Sequence, residues 1–153
     1  MAYWLMKSEP DVFGIDDLKR NQVEPWDGVR NYQARNFMRD HMQVGDGVLF
    51  YHSNTKPPGI AGIAEVASKP YDDPTQFDPE AKYFDPKSSL DKPRWQLVDI
   101  KYIRHLQRYL SLDELKQHTD VLTDFPLLRK GNRLSVMPVE AEHWQYILNL
   151  EQA

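Results

Sequence analysis

Proline sets the first limit on how this chain can fold. Five of its 11 prolines fall between Pro70 and Pro93. Each removes a backbone N–H and fixes φ, so this stretch reads as a long structured loop with room for one helical turn. Around it the apolar residues come in runs of strand length. Tyr3 to Lys7 is a strand that Pro10 must end, and the Gly45-Asp46-Gly47 turn opens a second from Val48 to Ser53. A third runs from Pro57-Pro58-Gly59 to about Ala67, where Gly59 and Gly62 signal a bulge or a close approach to the backbone. Trp95 to about Arg104 alternates, with Val98, Ile100 and Tyr102 on one face, and Arg133 to Val139 is strand-like with Pro138 near its end.

The helical signals between these runs are short. Ile15 to about Arg20 is one. Asn31 can cap another through about Met42, because Ala34, Phe37, Met38 and His41 recur at helical spacing. Ser111-Leu112-Asp113-Glu114 has the form of a capping box for a helix to about His118. Phe125 to Arg129 adds a turn that Gly131 stops, and Glu140 to Leu150 closes as a helix burying Trp144, Ile147 and Leu148. Strand and helix do not alternate regularly, which argues against a doubly wound sheet. The expectation is one α+β domain over residues 1–153, with about six mixed or antiparallel strands and short peripheral helices.

Composition narrows the function classes. At 153 residues, 41% hydrophobic and 27% charged, the chain has globular rather than disordered make-up. It holds no apolar run of spanning length, and Met1 to Pro10 has no basic segment of the secretory kind. Zero cysteines remove disulfides, thiolate metal sites and a cysteine nucleophile. A soluble, cytoplasmic monomer without membrane partner is expected. The net charge of -4 argues against electrostatic coating of nucleic acid. Yet basic residues gather in three places: Arg30, Arg35 and Arg39; Lys101, Arg104 and Arg108; and Arg129, Lys130 and Arg133. Brought together by the fold they would make a local phosphate-binding face, but for any single cluster the solvated face of a helix or strand is the favoured reading.

Catalytic signals are poor. The chain has no nucleophile elbow, phosphate-binding loop or dinucleotide fingerprint, and its five histidines lack metal-ligand spacing. Ser53 follows His52 directly, and neighbours on a strand point to opposite faces, so the two do not form a catalytic pair. No catalytic residue, metal or cofactor is expected. What stands out is a set of polar and aromatic residues at strand ends: Lys7-Ser8, Trp26, Asn31-Tyr32, Tyr51 to Asn54, and Arg133-Leu134-Ser135. Such residues suit a concave site that stacks a flat ring and hydrogen-bonds its edge. They suit a hydrophobic core equally well for Trp26, Tyr32 and Tyr51, although the turn setting of Trp26 between Pro25 and Asp27-Gly28 disfavours a central position.

Several long motifs resemble the EVE domain. They are Trp4 to Pro10 (WLMKSEP), Trp26 to Asn36 (WDGVRNYQARN), Phe50 to Asn54 (FYHSN), Gly59 to Val66 (GIAGIAEV), Pro93-Arg94-Trp95 and Arg133 to Val139 (RLSVMPV). The resemblance runs from Tyr3 to about Leu148. It implies a PUA-like, barrel-like sheet related to YTH and ASCH domains, and a pocket for a flipped-out modified base. The implied ligands are 5-methylcytosine-type bases in DNA or a modified base in RNA. In that pocket Trp26 and Tyr51 would be aromatic walls, with Tyr32 and Leu134 nearby. Ser8, Asn31, Ser53, Asn54 and Ser135 would read the base edge, and Lys7, Arg30 and Arg133 would meet phosphates. For Lys7 and Arg30 a surface ion pair competes with that role, and for Asn31 helix capping does. Two departures from the family pattern, Asp72 after Tyr71 and the missing Ser/Thr cap at Val139-Glu140, lie outside the inferred pocket. The competing functions are a small-molecule or nucleotide-binding protein and a nucleotide-acting enzyme using the same pocket.

Overall fold

The apolar runs pair with one another because each is too apolar to leave either face in water. The computed structural model describes residues 1–153. Its principal sheet has six strands: β1 (Tyr3–Ser8), β2 (Val23–Pro25), β3 (Gly47–His52), β4 (Gly59–Val66), β7 (Asp99–Ser111) and β8 (Val136–Val139). The spatial order is β2-β7-β4-β3-β1-β8, curled into a mixed half-barrel. β1 and β3 are parallel, with Trp4 opposite Val48 and Met6 opposite Phe50. The other neighbouring pairs are antiparallel.

Alternation along these strands builds two core layers. Trp4, Met6, Val48, Phe50, Val98 and Ile100 point into one, while Leu5, Leu49, Tyr51, Leu106, Leu110 and Met137 point into the other. Ile100, Leu106 and Leu110 are all even-numbered, yet Ile100 lies in a different layer from the other two. The cause is a bulge: Tyr102 pairs with Ala64 and Arg104 with Ile63, leaving Ile103 unpaired and inverting the alternation beyond it. The strand expected to stop near Arg104 therefore continues to Ser111. At Gly62 the chain's own packing explains the missing side chain, since a Cβ would come within 2.6 Å of Ile15 Cδ1.

The helices are short and peripheral: α1 (Pro10–Phe13), α2 (Ile15–Asn21), α3 (Tyr32–Asn36), α4 (Leu112–Lys116) and α5 (Ala141–Leu150). Asn31 caps α3, its Oδ1 accepting the Ala34 N–H at 3.0 Å. The helix expected to run regularly to Met42 instead widens after Asn36: the Met42 N–H donates to the Phe37 carbonyl at 2.9 Å, a five-residue step. That step buries both Met38 and Met42 and leaves His41 exposed. Ser111 caps α4 by accepting the Glu114 N–H at 3.2 Å, while the Glu114 carboxylate goes to Arg108 rather than closing the box. In α5 the buried residues are Ile147 and His143; Trp144 and Leu148 are only partly covered, Trp144 stacking on Tyr3 at 4.4 Å.

The proline-rich stretch is pinned rather than regular. β5 (Tyr71–Asp72) pairs with β6 (Gln96–Leu97), and Pro74–Phe77 forms a single 3-10 turn. Buried Gln76 donates to the Asp73 and Trp95 carbonyls and accepts the Arg94 and Trp95 N–H groups, anchoring both ends of the stretch. No helix is long and apolar enough to cross a membrane.

Candidate functional site

Parallel strands end on the same side, so Ser8 of β1 and Ser53 after β3 emerge together, the Ser53 N–H donating to the Ser8 carbonyl at 2.9 Å. β8 runs the other way, so the residues leading into it, Arg133 and Ser135, arrive at that same end. The Lys7 N–H donates to the Ser135 carbonyl at 2.8 Å. Opposite stands the loop after β2, at the far edge of the sheet in hydrogen-bond order. Curling of the half-barrel carries Trp26 to Arg30 across the opening. The cleft between them holds about 420 Å³ and is lined by Ser8, Trp26, Ser53 and Ser135, with Lys7, Arg30 and Arg133.

Trp26 is corrected from its expected peripheral place. It is only 8% exposed and meets Phe50 edge-on at 5.6 Å. Its N–H donates to the Val98 carbonyl at 3.0 Å, extending the β2–β7 ladder one residue past Pro25 and holding the ring over the core. The ring nevertheless lines the cleft. The indoles of Trp4 and Trp95 donate to Asp46 and Asp85, whereas Nε1 of Trp26 finds no acceptor within the protein. The hydroxyls of Ser53 and Ser135 are likewise without protein partners, while Ser8 Oγ donates to the Phe13 carbonyl at 2.6 Å.

The three cations behave differently. Arg30 is committed: its guanidinium meets buried Asp73 at 3.1 Å, the Thr75 hydroxyl at 3.0 Å and the Tyr83 carbonyl at 2.6 Å. Asp73 also accepts the Gly28 N–H at 2.8 Å, tying the cleft loop to the proline-rich stretch. Burial alone would push the Asp73 carboxyl up, but hydrogen bonds from Thr75, Gly28 and Arg30 outweigh it and hold it below the ordinary carboxylate range. Gly28 has a φ of +82°, and a Cβ there would lie 2.7 Å from the Tyr83 ring. Lys7 and Arg133, in contrast, form no ion pair. Lys7 sits 5.8 Å from the Tyr51 ring centroid, and burial depresses its ammonium below the usual lysine value.

Five other residues expected at one pocket lie elsewhere. Tyr51 is 3% exposed and belongs to the second core layer, because strand alternation turns it away from Phe50 and Trp26. Burial pushes its phenol up to about 12. Tyr32 stacks on Trp95 at 4.7 Å, with the Arg35 guanidinium 4.7 Å from its ring. Asn54 is not in the cleft lining itself but donates at 2.6 Å to Glu9, which is. Asn31 and Leu134 line a neighbouring cavity of about 510 Å³ that shares Arg133 with the cleft. The cleft also gains residues that strand patterning does not mark: Glu9, Glu24, Asp27, Lys82 and Tyr83. Burial raises the Glu24 carboxyl; burial and repulsion from Asp73 raise that of Asp27. No group of three or more His, Asp or Glu side chains is placed to hold a metal ion.

Comparison with known proteins agrees with this architecture. The EVE domain family model matches residues 2–150. Thymocyte nuclear protein 1 of Danio rerio is 46% identical, over 97% of this chain and 71% of that protein. The crystal structure of human THYN1 protein in complex with 5-methylcytosine containing DNA superposes with a TM-score of 0.95 at 40% identity, covering 100% of this chain and 99% of that one. The fold alone is shared with the YTH domain of Zygosaccharomyces rouxii MRB1, solved with N6-methyladenosine RNA, at a TM-score of 0.56 and 14% identity over 98% of this chain and 86% of that one. With its motifs, its curled sheet and a family match over nearly its whole length, this chain belongs to the EVE domain family.

Proposed function

We propose that this protein is a non-catalytic reader of a modified nucleobase, of the 5-methylcytosine type in DNA or a modified base in RNA. The observation that carries the reading is Trp26: a ring fixed against Phe50, with its N–H free, lining a cleft that holds about 420 Å³. The cleft accommodates one extruded base. Trp26 supplies the stacking surface, the free hydroxyls of Ser53 and Ser135 address the base edge, and Lys7 and Arg133 meet flanking phosphates. The DNA complex of the human relative supports a nucleic-acid ligand. Arg30 acts through the loop it fixes, because its own donors are engaged.

Matched oligonucleotides with and without the modification, as single strands and duplexes of DNA and RNA, test the reading by titration. Modified single strands should bind most tightly, since a duplex must first release the base. Trp26→Ala should lose about 1–3 kcal/mol of binding, roughly 5- to 150-fold. Because Trp26 is also core, the variant should lose about 3–5 kcal/mol of stability in a urea melt, so binding is read at a temperature where it remains folded. Equal affinity for modified and unmodified strands overturns the base reading. A free nucleotide binding as tightly as any oligonucleotide favours a small-ligand function, which the cleft volume also accommodates.

A further inference from the structure

The cavity beside the cleft has a charge pattern the cleft itself, with Glu9, Glu24 and Asp27 in its lining, does not share. The chain carries 23 acidic residues against 19 Lys and Arg, yet no Asp or Glu lines this cavity of about 510 Å³. Three cations do: Arg129, Lys130 and Arg133, none of them in an ion pair. Asn31, Gln33 and Asn132 add polar side chains to its wall.

The loop that carries the cations is fixed from within. Gly131 turns it at φ +79°, the Asn132 amide donates to the Pro126 carbonyl at 2.6 Å, and Asn132 Oδ1 accepts the Leu134 N–H at 2.9 Å. Basic side chains on a braced loop, with no carboxylate in the cavity lining, keep a positive field there despite a net charge of -4. The cavity joins the Trp26 cleft through Arg133, which lines both.

We infer that this second cavity is the track for the sugar-phosphate backbone of the strand whose base occupies the Trp26 cleft, an inference that rests on the base-reading function proposed above. Arg129 and Lys130 neutralise phosphates on one flank of the extruded nucleotide, and Arg133 neutralises the phosphate at the junction. The track adjoins the cleft on its Arg133 side, and Lys82 is the one unpaired cation beside Tyr83 in the cleft lining. The strand is therefore held asymmetrically, and one flank of the modified base contributes more affinity than the other.

The test compares wild type with Arg129→Gln/Lys130→Gln, both exposed positions outside the Trp26 cleft. The probes are modified and unmodified single-stranded nonamers, the same strands truncated on the 5′ or 3′ side, and the modified mononucleotide, each titrated between 50 and 200 mM salt. The double variant should bind the mononucleotide like wild type but the modified nonamer more weakly. With about -0.7 in salt slope per single-strand phosphate, its slope should be shallower by about 1.4, so its affinity deficit should shrink roughly sevenfold across that range. Truncating one flank should cost wild type affinity and cost the variant little. An unchanged slope with retained preference for the modified strand overturns the track and leaves the base reading standing. A shallower slope without preference for modified over unmodified nonamers supports a backbone track and overturns the base reading. Equal loss on truncating either flank also overturns the track.

Discussion

Lys7 is partly buried at the edge of the cleft without a counter-ion, at a cost to folding. Its alternation with Leu5 and its pairing with Tyr51 carry its side chain toward the second layer, where the ammonium lies 5.8 Å from the Tyr51 ring centroid without a counter-ion, while the residue itself borders the cleft. Burial lowers its pKa. A lysine with a depressed folded-state pKa binds fewer protons than the unfolded chain, so its contribution to stability improves as pH rises through that value toward 10.5. Lys7→Met should therefore raise the urea midpoint at neutral pH. The same change should weaken oligonucleotide binding roughly 10- to 150-fold if Lys7 donates a charge-assisted hydrogen bond worth about 1.5–3 kcal/mol. A variant that is stabilised and binds like wild type would remove Lys7 from the site.

Among the elements, the join between the cleft loop and the proline-rich stretch decides whether the cleft stays formed. Asp73 accepts from Gly28, Arg30 and Thr75 while 1% exposed, and both sides of the join lack long regular structure of their own. Because its folded-state pKa lies below the ordinary value of 3.8, the stability it contributes is fully present above that pH and is lost as pH falls through the lower folded value. Asp73→Ala should cost about 3–5 kcal/mol, the range for breaking a buried pair from one side. It should weaken binding in parallel and flatten the acid limb of a stability–pH profile. Loss of stability with unchanged affinity would show that the loop holds its shape without this join. The motif holding Gly28 and Arg30 is plain in the chain; its partner, 43 positions beyond Arg30, sits in a segment whose prolines only announce irregularity.

For the whole molecule, a net charge of -4 and a few cations at one mouth predict localised rather than extensive electrostatic binding. Lys7, Arg129, Lys130 and Arg133 together give four phosphate contacts and a single-strand salt slope near about -2.8. A slope requiring six or more contacts would mean that the Lys101, Arg104 and Arg108 cluster joins the interface. The structure assigns two of those three elsewhere, since Arg104 and Arg108 hold Glu151 and Glu114 in bidentate pairs.

The strand-length runs, the caps at Asn31 and Ser111 and the family motifs are legible along the chain, because alternation, hydrogen-bond chemistry and proline act within a few residues. Of the seven expected residues that line one cleft, Lys7, Ser8 and Ser53 sit where the parallel strands end together, and Arg133 and Ser135 lead into the antiparallel β8 at that same end; Trp26 and Arg30 reach it only because the sheet curls. Bulges lay beyond that reading. One unpaired residue at Ile103 inverts every later side chain of β7, and no local pattern records it. Tertiary structure alone decided that Tyr51 faces the other layer and that Arg30 is consumed by Asp73. It also set Trp26 as both core and cleft wall. Those outcomes depend on how far the sheet curls, which the packing of two core layers fixes across the whole chain.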